Sequence, residues 1–134
     1  MDADVLAVMA KRSLWQRYFS FRWAFMAALS VTTIACLLPG SYVGPSISHL
    51  DKIVHATAWC VIAVFATSAF ALHRHARWLA LSLIVWSLAI EGLQQYIPNR
   101  SFEWADLLAN GIGVVSGILL ARLLRHLPLI SKKK

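Results

Sequence analysis

Apolar residues fall into four long blocks along this chain, separated by short polar breaks. The first block runs from about Phe21 to Leu38 (21–38) and stops at Pro39-Gly40. The second covers about 51–72, the third 78–97 and the fourth 104–124, with Pro98-Asn99 closing the third. A bilayer core of ~30 Å needs about 20 helical residues, and ~17 still suffice, so every block is long enough to cross. Ser41 to Leu50, with Gly44, Pro45 and serines, reads as a loop, and Arg100 to Glu103 as a second one. His73-Arg74-His75-Ala76-Arg77 is too short and polar for anything but a tight turn. The expected fold is all-α: a single domain over 1–134, a polytopic bundle of four transmembrane helices. Residues 1 to 20 mix Lys11, Arg12 and Arg17 with Leu6, Val8, Leu14, Trp15, Tyr18 and Phe19, which predicts a short N-terminal interfacial helix. No Ala-x-Ala site follows a short apolar core, so this segment does not read as a signal peptide.

Composition agrees with the pattern. Of 134 residues, 59% are hydrophobic and 14% charged, and mean hydropathy is +0.63. A soluble domain carries roughly 25% charged residues. The net charge of +7 raises nucleic acid as a partner, but the positions of the charges argue against it. Eleven of the 13 Lys and Arg lie in three helix-flanking groups: Lys11 to Arg22, Arg74 with Arg77, and Arg122 to Lys134. They form no continuous basic face, so no nucleic acid is expected. The two remaining loops hold one base each, Lys52 and Arg100, and the positive-inside rule then gives N-in/C-in, both termini cytoplasmic. Trp15, Trp23, Trp78 and Trp104 near block ends suit interfacial belts. Cys36 and Cys60 read as small buried hydrophobes, with no Cys-x-x-Cys spacing.

The polar residues inside or beside the blocks change the picture. Asp51, Lys52 and His55 open the second block; Glu91, Gln94 and Gln95 come late in the third; Arg100 follows; Asp106 and Asn110 open the fourth. In this topology all of them lie in the outer half of the membrane or at its outer surface. Asp51/His55 and Asp106/Asn110 are spaced i,i+4 and Glu91/Gln94 i,i+3, so each pair shares a helix face. A charge near the bilayer centre costs at least ~2.5–3.5 kcal/mol, which turns such faces toward the bundle interior. The spacing therefore predicts an outward-facing polar cavity lined by Asp51, His55, Glu91, Arg100, Asp106 and Asn110. Plainer readings exist for several: Asp51 and Asp106 as helix caps, Lys52 as a headgroup-facing base, Asn110 as interhelical glue, Glu103 as a solvated loop residue. Gly113-x-x-x-Gly117 gives the fourth block a small-residue face for close helix packing, which also offers a route to oligomerisation.

Asp51-Lys52-x-x-His55, Glu91-x-x-Gln94, Arg100-Ser101 and Asp106-x-x-x-Asn110-x-x-Gly113-x-x-x-Gly117 together resemble the VanZ-like family of bacterial membrane proteins. The match covers about residues 51 to 117, with Ala56 standing where relatives often carry an aromatic residue. The resemblance implies a multi-pass protein of the bacterial inner membrane, from a family first associated with low-level teicoplanin resistance. It does not imply a mechanism.

Three functions fit these residues. In the first, the cavity binds a polar headgroup, such as a lipid-linked cell-wall precursor or a lipoglycopeptide. Arg100 and Lys52 would then meet its anionic groups, and Gln94, Asn110 and Ser101 its hydrogen-bonding groups. In the second, an intramembrane hydrolase or transferase uses His55 with Asp51 or Asp106 as general base and Glu91 as acid, Arg100 stabilising charge. In the third, the cluster is a structural ion-pair network of a membrane scaffold. A divalent metal on Asp51, His55, Glu91 and Asp106 has Arg100 against it and no recognised motif for it, so no metal and no cofactor are expected.

Overall fold

The computed structural model describes residues 3–39, 48–70 and 75–126. They form four helices: α1 (Ala3–Leu37), α2 (Ser48–Phe70), α3 (Ala76–Gln94) and α4 (Trp104–His126). Each contains a stretch long and apolar enough to cross a membrane, and no strand occurs among the described residues. Most of the expected first loop, the last two positions of the expected second span (71–72), residues 73–74 of the expected turn and the basic tail lie outside the described residues.

One expectation is corrected at the N-terminus. No break separates an interfacial helix from the first span, because α1 is continuous over 35 residues that contain neither glycine nor proline. At 1.5 Å per residue it is roughly 52 Å long, well beyond a ~30 Å core. The stretch of α1 long and apolar enough to cross a membrane is Phe19–Leu37, and the preceding residues prolong the same helix beyond it.

The third span also shifts. It starts at Ala76 rather than Trp78, where the Trp78 and Leu79 N–H groups donate to His75 O at 2.9 and 3.1 Å. It ends at Gln94, three residues before the expected Ile97. Tyr96 and Ile97 donate to Leu93 and Gln94 carbonyls in the tighter i→i+3 pattern. Pro98 disfavours helical geometry at Ile97, and Asn99 then takes a left-handed conformation, φ 60°. α4 begins at Trp104 as expected and runs to His126, two residues past Leu124.

α2 is the central helix, packed chiefly on α4 and then on α1. The close α2–α4 approach depends on two glycines. A Cβ at Gly113 would run into the Ala56 carbonyl, and one at Gly117 would strike the Cys60 carbonyl and lie 2.8 Å from Ala63 Cβ. The face read as a route to oligomerisation is therefore occupied by α2 within the chain. The core is built from Trp59, Ile62, Ala63 and Ala66 of α2, Leu79, Leu83 and Ile90 of α3, and Val114 and Ile118 of α4. α1 leans on this core through partly buried residues such as Phe25 and Leu29, and its most apolar stretch has no fully buried position. The helices alternate in direction, so the C-terminal ends of α1 and α3 meet the N-terminal ends of α2 and α4. All the polar residues singled out above gather at that end.

Candidate functional site

The site begins with the first turns of α2 and α4. Lys52 lies between three carboxylates: its Nζ is 2.5 Å from Glu103 Oε2, pairs with Asp106 Oδ1, and is 3.6 Å from Asp51 Oδ2. The remaining oxygen of each aspartate turns toward His55. Its Nε2 stands 3.8 Å from Asp51 Oδ1 and 4.0 Å from Asp106 Oδ2. Both His55 and Asp106 have side chains about nine-tenths buried, at 10% and 8% exposure.

A second layer fixes the imidazole. Asn110 Nδ2 donates to Ser87 Oγ at 2.8 Å, which leaves Asn110 Oδ1 facing His55 Nδ1 at 3.1 Å. An amide oxygen only accepts, so Nδ1 carries the hydrogen. In the neutral ring the lone pair is then on Nε2, aimed at the two aspartates.

Three other site residues sit at helix ends. A helix leaves its first N–H groups and last carbonyls without internal partners. Gln94 Nε2 donates to the Cys36 carbonyl at 2.9 Å and Arg100 Nε to the Leu38 carbonyl at 3.4 Å, both at the C-terminal end of α1. Glu91 Oε1 accepts the Glu103 N–H at 2.7 Å, just ahead of α4. The signs suit the helix dipoles, with a cation at a C-terminus and a carboxylate at an N-terminus.

Between α1 and α2 lies a pocket of about 260 Å³. Asp51, His55 and Arg100 form its polar end, while Val31, Ala35, Val54, Ala58 and Trp59 give it apolar walls. Arg100 makes no ion pair with a carboxylate among the described residues; only its Nε is engaged. The ion pairs of the network are made by Lys52.

The structure thus brings together Asp51, Lys52, His55, Asp106 and Asn110 in one network, with Glu91, Gln94 and Arg100 around it. Ser101 is exposed and makes no hydrogen bond among the described residues. Two members were not expected. Ser87 is 1% exposed and lies i−4 from Glu91, so helical spacing alone puts it on the same face. Glu103, read as solvated, pairs with Lys52 and places its N–H on Glu91. The pocket walls from α1 were also unforeseen, since the residues it contributes, Val31, Thr32, Ala35 and Cys36, read as an ordinary apolar span.

A family model described as VanZ/LLP1 matches residues 6–125, a stretch that contains every residue of this site. No curated protein and no solved structure matches the chain.

Proposed function

We propose that this chain, which belongs to the VanZ/LLP1 family, binds the anionic headgroup of an amphipathic envelope molecule in the pocket between α1 and α2. The ligand class is a lipid-linked cell-wall precursor or a lipoglycopeptide, and its capture would modulate susceptibility to glycopeptides such as teicoplanin. The protein would act in the bacterial cytoplasmic membrane with both termini cytoplasmic and the pocket near the outer surface.

One observation carries this reading: the pocket is polar at one end and apolar along its walls. Arg100 is anchored through Nε on the Leu38 carbonyl, and its two terminal nitrogens have no partner among the described residues. That edge of the guanidinium suits a bidentate grip on phosphate or carboxylate. His55 and Asp51 beside it offer hydrogen bonds to sugar or amide groups, and Val31, Val54 and Ala58 suit an adjoining hydrocarbon chain. Lys52, Gln94 and Asn110 already have partners within the protein, so here they hold the frame rather than touch the ligand.

The test uses purified protein in lipid nanodiscs, titrated with a fluorescent lipid-linked precursor and, separately, with teicoplanin. Arg100→Gln is expected to weaken binding about tenfold or more, with Arg100→Lys between the two. Unchanged affinity in Arg100→Gln rejects the reading. One observation favours a second reading: the oriented His55 ring presents Nε2 beside both the pocket and two carboxylates, as a general base would require. Mass spectrometry on the same incubations decides between them, because a hydrolase or transferase leaves a changed lipid and a binder does not.

A further inference from the structure

We propose that Asp51, His55 and Asp106 form a binding site for a divalent cation of the zinc or manganese class. One oxygen from each aspartate and one imidazole nitrogen all lie within 4.8 Å of one another. Each of the three atoms is an acceptor. The Asn110–Ser87 relay holds the hydrogen of His55 on Nδ1, so Nε2 presents a lone pair to the point where Asp51 Oδ1 and Asp106 Oδ2 converge.

No direct hydrogen bond joins His55 Nε2 to either aspartate. Charge-assisted N–H···O bonds close to about 2.7–2.9 Å, yet the two separations are 3.8 and 4.0 Å. The gap is wide enough for an ion bound at about 2.0–2.2 Å from each ligand after a small inward adjustment. The charges agree. Asp51, Asp106, Glu103 and Glu91 supply four carboxyl groups against the two bases Lys52 and Arg100, an acidic excess of two groups that suits a divalent ion. Lys52 does not occupy the site, because it pairs with the opposite oxygen of each aspartate. That pairing also keeps the free oxygens turned toward His55.

The ligand types select the metal. Imidazole with two carboxylates suits zinc and manganese, whereas magnesium prefers oxygen ligands and retains water. A metal-bound histidine ordinarily donates its other N–H to a second shell, the part that Asn110 takes. Three protein ligands leave coordination positions open, as in catalytic rather than structural zinc sites. Asp51 and His55 line the α1–α2 pocket, so the open positions lie on that side. A headgroup oxygen completing the coordination there would rest on the function proposed above, while metal binding itself does not.

The experiment therefore uses no lipid ligand. Full-length protein, freed of any polyhistidine tag and stripped with chelator in detergent, is titrated with zinc chloride and manganese chloride by calorimetry, and its metal content is measured after dialysis. The expected result is one ion per chain. His55→Gln and Asp106→Asn should abolish that binding, and Asn110→Ala should weaken it about 10–100-fold without touching the ion. Replacing His73, His75 and His126 together should leave it unchanged. Should the ligand variants fail to fold, cobalt(II) added to the wild-type protein gives an independent reading. Absorption bands of a mixed nitrogen–oxygen site support the proposal, and the spectrum of the aquo ion overturns it. Absence of stoichiometric binding in the wild type, or binding that survives His55→Gln, also overturns it.

Discussion

Glu91 is 1% exposed, and its Oε1 is the acceptor for the Glu103 N–H, so removing it strands a donor at the entrance to α4. A hydrogen bond lost without replacement costs about 0.5–1.5 kcal/mol. Glu91→Leu should therefore lower stability by about that much, seen as a reduced melting temperature in detergent. Glu91→Gln keeps an oxygen acceptor for the Glu103 N–H and should therefore lose less stability than Glu91→Leu. Equal stability of Glu91→Leu and wild type would show that the cap contributes nothing. At this scale the sequence was legible where spacing and polarity coincide. Asp51 with His55, and Asp106 with Asn110, are readable as one-turn pairs, and the structure joins them through Lys52 and the His55–Asn110 bond. Glu103 was not legible, because nothing local distinguishes a solvated loop acid from one that meets a lysine 51 positions away. Neither was the capping by Gln94 and Arg100, which depends on where the end of α1 lies in space.

The elements follow from the hydrophobic blocks and their breakers, with errors where the breakers act indirectly. Pro39 and Pro98 mark the ends of α1 and α3, but α3 stops at Gln94 because its last residues tighten before the proline is reached. The joined N-terminal helix was missed because a basic, aromatic-rich stretch suits an interfacial helix and a prolonged one equally. The three glycines of α4 look alike in sequence and differ in the bundle. A Cβ at Gly111 meets nothing within 4 Å, whereas Gly113 and Gly117 face α2 backbone. Gly113→Ala should destabilise by about 1–3 kcal/mol, because backbone must move to accept it. Gly111→Ala should be neutral or stabilising by up to about 1 kcal/mol, from the gain in helix propensity. Thermal unfolding of the two variants side by side checks this, and equal losses would contradict the α2–α4 packing described here.

The whole molecule is two-ended. One end gathers the finishing turns of α1 and α3, the starting turns of α2 and α4, and the network around Lys52 and His55. The other end carries the long extension of α1, where Lys11, Arg12 and Arg17 fall, and the finish of α4 with Arg122 and Arg125. There Arg22 also lies 5.6 Å from the centre of the Phe70 ring, a cation–π contact that suits a base at the edge of the hydrocarbon core. Translocating such a basic end is disfavoured during insertion, and the proposed orientation therefore turns the polar network outward. This yields a prediction independent of any ligand. In a background with Cys36 and Cys60 replaced by alanine, single cysteines are introduced at the exposed positions Ser101 and Gln16, one at each end. A membrane-impermeant maleimide applied to intact spheroplasts should label Ser101→Cys and leave Gln16→Cys unlabelled until the membrane is permeabilised. The reverse pattern would turn the pocket toward the cytoplasm, where lipoglycopeptides do not reach it, and that part of the proposed ligand class would fall with the orientation.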